Sequence, residues 1–251
     1  MDDVICFMTD NNDRKPQKIS TRPRLPQASL HCPPITAGNE LGLVVYPNSS
    51  SNWEIQRVPE YIQVTYTPEN PEIDTPFILS VGEDGSRMVQ LIPKDPNDPS
   101  TQEDYQQAMK RIDTLFNDFH TPAGAITLKA NCWFQTPENW DSIWMGITNQ
   151  FDPPFPDTYT VRVQTDWYSA STNVEIRYQL KIGQIVKVSK ENPIGMVTFL
   201  ERDNINIKYS EYSDQLIGKQ NEQKNEKLDK SYVITEKNLT PHNIWYQTNK
   251  K

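Results

Sequence analysis

Nine residues in the second half of the chain, Val174 to Ile182, constrain the fold more than any other stretch. Val174, Ile176, Tyr178, Leu180 and Ile182 alternate with Glu175, Arg177, Gln179 and Lys181. A period of two puts all the apolar side chains on one side of an extended segment. It cannot sit as a helix, because at 3.6 residues per turn the same residues would encircle the axis. The preceding run has the same pattern. Tyr159, Val161, Val163, Thr165 and Trp167 form one face, and Arg162, Gln164, Asp166 and Tyr168 the other. The polar link 169–173 has hairpin length, so the reading is two adjacent strands, the second ended or bulged at Gly183.

Similar runs extend this into a β-rich chain. Strands are expected at 4–8, 41–46, 53–58, 61–66, 77–81, 88–92, 126–130, 133–134, 140–147, 185–188, 194–200 and 205–209. Asp84-Gly85 is a hairpin signal between two of them. The prolines at 153, 154 and 156 remove ladder donors, so 151–157 is expected to be a rigid crossing loop laid over an aromatic surface. One amphipathic helix is expected at 100–119. Ser100 and Glu103 would form its capping box, and Tyr105, Met109, Ile112, Leu115 and Phe116 its apolar stripe. The reading is a mainly β fold: a jelly-roll or double-stranded β-helix-like barrel or sandwich. Residues 1–212 would form one β-rich domain, with an extended surface arm at 1–30 that His31 to Ile35 lead into the fold. Residues 213–251 read as a polar, helical or partly disordered tail, in which Ile244, Trp245 and Tyr246 are free to dock or meet a partner.

Composition narrows the function classes. A net charge of −8 over 251 residues disfavours both nonspecific nucleic-acid binding and an anionic membrane surface. Cys6, Cys32 and Cys132 are odd in number and widely spaced, which is no disulfide framework. The start lacks a signal-peptide core and no apolar run reaches spanning length. A reduced, cytoplasmic setting is therefore expected. The glycosylation sequons at Asn48 and Asn238 carry no weight in such a setting.

Three passages resemble an uncharacterised bacterial family containing a domain of unknown function. Cys32 to Gly42 is similar to its Cys-x-Pro…Ala-x-Asn segment, although Leu43 stands where the family has an aromatic residue. Thr165-Asp166-Trp167 resembles its Thr-Asp-Trp strand. Glu191-Asn192-Pro193-Ile194 resembles its Glu-x-Pro-Ile turn, with Lys190 in place of a glycine. The resemblance implies one continuous fold over residues 32–205 and no particular activity. The closing apolar strand is also similar to that of cupin-type folds, an analogy of fold alone.

Candidate chemistry centres on two groups. Arg162, Asp166, Glu175 and Arg177 share the polar faces of the two paired runs. Facing a barrel interior they would hold a polar ligand, with Asp166 or Glu175 as the acid–base group. Facing water they would be ordinary cross-strand pairs. Trp133, Trp140, Trp144 and Trp167, with Phe134, Phe151, Phe155 and Tyr168, would either line a planar-ligand wall or fill a bulky core. His31, His120 and His242 have no paired-ligand spacing, so no metal site and no cofactor is expected. Cys132 reads as a buried small residue. The leading functional reading is a small-molecule-binding protein with an aromatic, metal-free pocket. An enzyme using Asp166 or Glu175, and an interaction protein acting through the tail, are the alternatives. Self-association is left open.

Overall fold

The computed structural model describes residues 3–10, 13–22, 25, 29, 32–93, 100–119, 124–150, 156–168, 174–202, 209 and 214–229. Within them the chain is mainly β, with fifteen strands and three helices. All the ladders are antiparallel.

The largest sheet has five strands. β3 (Asn52–Arg57), β4 (Tyr61–Thr67), β5 (Phe77–Gly82) and β6 (Arg87–Leu91) form a meander, and β14 (Ile185–Val188) adds to the free edge of β3. Alternation holds strictly here: Ile62, Val64 and Tyr66 are buried on β4, and Phe77, Leu79 and Val81 on β5. The Asp84-Gly85 turn joins β5 to β6, with Gly85 at φ +84° and Asp84 Oδ1 accepting from the Ser86 N–H at 3.0 Å.

A second sheet runs β11 (Asp157–Thr158), β13 (Glu175–Gln179), β8 (Ala125–Lys129), β7 (Phe116–Asp118). A third runs β12 (Val161–Val163), β10 (Trp140–Met145), β15 (Gly195–Glu201), β2 (Leu43–Val45). β1 (Ile5–Met8) pairs with β9 (Cys132–Gln135) in a two-stranded ladder. Among the described residues no ladder closes on itself; the layers stack like a sandwich around one shared apolar core. Trp53 of β3 meets Phe116 of β7 edge-on at 5.5 Å, joining the first sheet to the second. Gly195 of β15 lies so close to β13 that a Cβ there would sit 2.6 Å from Ile176.

The helix α2 (Gln102–Leu115) covers one end of this core with Ala108, Ile112 and Leu115. Its capping box is Thr101 with Asp104, one residue beyond the expected pair: the Thr101 N–H donates to Asp104 Oδ2 at 2.7 Å, and the Asp104 N–H to Thr101 Oγ1 at 3.3 Å. Both pairs fit the template, and the register of the buried stripe selects the second. The helix stops at Leu115, and Phe116 starts β7 without a link, so the expected helix to 119 is too long. Tyr105 and Met109, expected on the buried stripe, are partly exposed.

Four further expectations are corrected. The 159–168 run is not one strand paired to 174–182. Its start follows β13, where the Tyr159 N–H donates to the Arg177 carbonyl at 2.9 Å, and its middle crosses to β10 as β12. Thr165 to Trp167 is a turn, closed by the Tyr168 N–H on the Gln164 carbonyl. Pro33–Asn39 is a helix, α1, rather than more arm; prolines in a first turn lack only N–H groups that would be unsatisfied anyway. Ile182 is exposed beside Gly183, which turns the chain at φ +80°. The arm is also less peripheral than expected: Gln17 bridges to Val44 and Arg22 is buried.

α3 (Asp214–Asp229) falls in the expected tail, and its described side chains are exposed. The crossing loop 151–155, the link 169–173, residues 205–208, His31, His120, His242 and the Ile244–Tyr246 segment lie outside the described residues. No helix among the described residues is long and apolar enough to cross a membrane.

Candidate functional site

The residues singled out in the sequence do not converge. Trp133 stacks on Phe7 in the two-stranded ladder, with centroids 5.6 Å apart. Trp144 is buried, and its indole N–H donates to Ser142 Oγ at 2.7 Å. Trp167 is 69% exposed and donates to Gln164 Oε1. Trp140 opens β10, and its carbonyl accepts from Thr136 Oγ1 at 2.8 Å. None of these four indoles lines the cavity described below, and Phe151 and Phe155 of the expected aromatic wall lie outside the described residues.

The charged group divides between two sheets. Glu175 and Arg177 project from β13, where Glu175 stands opposite Lys129 and Arg177 Nε donates to Thr127 Oγ1 at 3.1 Å. Burial pushes the Glu175 carboxyl above its ordinary value, against the opposing bond from Asn117 and the nearby Lys129 and Arg177 charges. Arg162 and Asp166 belong instead to a clip around Asp141. That carboxylate, buried on β10, accepts from Arg162 Nε on one oxygen and from Arg202 Nε on the other. Arg202 also ion-pairs with Asp166, whose other oxygen accepts the Asn139 N–H at 3.1 Å. For Asp166, partial desolvation pushes upward, but the Arg202 and Asn139 bonds outweigh it and hold the carboxyl below its usual range. Asn139 takes a positive φ of 68° to present that N–H, which asparagine tolerates better than most residues. The clip ties β10, β12, the end of β15 and the 165–168 turn together. Its carboxylates are occupied by arginines.

The Cys132 thiol is buried, and its contact with the Cys6 thiol together with burial push it well above the ordinary range. It is therefore a poor nucleophile.

The concavity lies elsewhere. A cavity of about 680 Å³ opens where three sheets meet the N-terminal arm. Val186 and Val188 of β14, Tyr178 of β13 and Val44 of β2 supply its walls, with Ile185 and Ile194 beside them. Ile147 and Gln150 follow β10, and Ile19, Thr21 and Arg22 close it from the arm. Its size is that of a small-molecule site. Most of the surface is aliphatic, and Tyr178 is the aromatic contribution among the described lining residues. The Tyr178 hydroxyl donates to the Ile194 carbonyl, and burial drives its pKa upward, so the phenol stays neutral.

The arm is held over the cavity by a buried polar seam. Asn39, at the end of α1, donates through Nδ2 to the Ser20 carbonyl at 2.5 Å and accepts from Asn149 Nδ2 at 2.9 Å. Thr148 Oγ1 donates to the Gly38 carbonyl at 2.7 Å. Arg22 Nε donates to the Thr148 carbonyl at 2.9 Å, and Nη2 to that of Asn39 at 2.6 Å. Sequence reasoning placed Arg22 on a surface arm. A usable signal was Ile19, an apolar residue in a polar run.

Among the described residues no cluster of three or more His, Cys, Asp or Glu side chains is placed to hold a metal ion. Comparison with family models, with curated proteins and with solved structures finds no match to this chain.

Proposed function

We propose that the protein binds a small, predominantly apolar molecule in the cavity between β2, β13, β14 and the arm. The observation that carries this is a cavity of about 680 Å³ whose wall is mostly aliphatic. Apolar ligands gain about 0.8 kcal/mol per methylene removed from water, so such a wall favours a hydrocarbon portion over a sugar or a nucleotide. The pocket is thus aliphatic rather than tryptophan-lined. Acid–base catalysis by Asp166 has weaker support, because that carboxylate is engaged by Arg202 and the Asn139 amide. Glu175 has a raised pKa but does not line the cavity.

The test is a titration with the neutral fluorophore N-phenyl-1-naphthylamine. The wild-type protein gives a saturable fluorescence increase. Ile185→Trp, a half-buried wall position on β14, fills part of the space and weakens binding, while Met88→Trp, an exposed position on β6, leaves it intact. No saturable signal from the wild type, or equal binding by Ile185→Trp, would overturn the proposal.

A further inference from the structure

Arg22 is only 6% exposed and lies on the cavity wall. Every bond of its guanidinium goes to a neutral carbonyl: Nε to Thr148 at 2.9 Å, Nη1 to Thr21 at 3.0 Å and also to Ile19, Nη2 to Asn39 at 2.6 Å. The other buried charged side chains, Asp74 and Asp141, each hold an arginine. Arg22 has no carboxylate within ion-pair distance among the described residues. Carbonyls solvate a guanidinium but do not neutralise it, and a cation withdrawn from water without a counter-charge is costly. Four of its five N–H groups are used, which leaves one Nη2 hydrogen for a further acceptor.

The cavity's charge has a consistent sign. Among the described residues that line it, the two charged ones are cations, Arg22 and Lys187, and none is an aspartate or glutamate, although the chain carries a net charge of −8. Lys187 is largely exposed and pairs with Glu54 at 3.6 Å, so Arg22 is the cation placed in the low-dielectric part of the wall. The aliphatic surface from Val44, Val186, Val188 and Ile194 lies alongside it.

We infer that the cavity takes an amphiphile with an alkyl tail and an anionic head, of which a fatty carboxylate is the simplest case, and that Arg22 is the residue that recognises the head. This rests on the binding function proposed above and adds the ligand's charge. A carboxylate brought to a desolvated guanidinium forms a charge-assisted bond stronger than any carbonyl can.

The test uses the full chain and displacement of N-phenyl-1-naphthylamine by three ligands with one tail: dodecanoate, dodecanol and dodecyltrimethylammonium. Concentrations stay below those that alter the circular dichroism. Dodecanoate is expected to displace the probe at least tenfold more effectively than the cationic twin. Arg22→Gln is expected to lose that preference while still binding dodecanol. Equal displacement by anion and cation in the wild type overturns the role of Arg22 and leaves the cavity's binding function standing, as does a preference retained in folded Arg22→Gln. Absence of probe binding removes both. Arg22 also ties the arm to Asn39 and Thr148, so if Arg22→Gln does not fold, the wild-type comparison of the three head groups decides the matter.

Discussion

Tyr178→Phe removes one oxygen atom from the wall of the cavity and tests how the site is built. The Tyr178 hydroxyl is the partner of the Ile194 carbonyl, and both residues are almost completely buried. Losing a hydrogen bond of this kind costs about 0.5–1.5 kcal/mol, and a stranded buried carbonyl about 1–3 kcal/mol. Because the carbonyl stands next to a cavity that can admit water, the middle of the combined range applies, about 2 kcal/mol of lost stability. Urea unfolding followed by circular dichroism measures it. A second readout is alkaline pH. The folded-state pKa of Tyr178 is raised, so its stabilising contribution is complete below the ordinary tyrosine pKa of about 10 and declines as pH rises above it. The expected slope is about 1.4 kcal/mol per pH unit for each proton held only by the folded chain. Tyr66, pushed up to about 12 by burial and by its bond to Asp74, acts in the same sense between pH 10 and about 12. Wild type and Tyr178→Phe should therefore differ there by the slope of one proton. A destabilisation below about 0.5 kcal/mol, the scatter of neutral surface changes, together with an unchanged alkaline slope, would refute this account of the wall.

Three further outcomes are expected. Gly195→Ala forces a Cβ to within 2.6 Å of Ile176 and should cost about 1–3 kcal/mol by overpacking, with partial recovery in the double variant with Ile176→Val; additive losses in the double-mutant cycle would contradict the close approach of β15 to β13. Asp166→Asn should flatten the acid limb of stability: the folded pKa of Asp166 is lowered, so its contribution is present above the reference value of 3.8 and is lost as pH falls through the lower folded value. An unchanged acid limb in chemical denaturation at stepped pH would argue against the Arg202 pairing. Asp141→Asn should destabilise the protein by about 1–3 kcal/mol in urea titration, less than for a fully buried pair, because Arg162 is 53% exposed and can turn to water while Arg202 keeps its pair with Asp166. A loss above about 5 kcal/mol would mean that the arginines are left without a counter-charge or water.

What the sequence revealed was local. The alternation of Ile176, Tyr178 and Leu180 placed one face of β13 in the core, and Asp84-Gly85 marked the β5–β6 hairpin, because side-chain period and turn stereochemistry are set by near neighbours. Partner choice is not. Residues 159–168 have a strand's periodicity, yet the Tyr159 N–H bonds to Arg177 of β13 while Val161 to Val163 pair with β10. The switch is set by sheets that assemble from residues far apart in the chain. His31 to Ile35 read as leading the arm into the fold, yet Pro33 and Pro34 begin a helix, since proline stops a helix only after its first turn. The cavity was least legible. Its wall joins residues 19, 44, 147, 178, 186 and 194, which share no spacing. Arg22 looks like any arm cation until Asn39 and Thr148 are seen to enclose it.

Methyl-resolved NMR during titration with dodecanol tests the central claim most directly. Binding in the cavity predicts saturable shifts of the Ile19, Val44, Ile185, Val186, Val188 and Ile194 methyls, with the core methyls of Leu79 and Ile112 unmoved. Shifts concentrated at the exposed Met109 face of α2, or none before the alkanol aggregates, would contradict it.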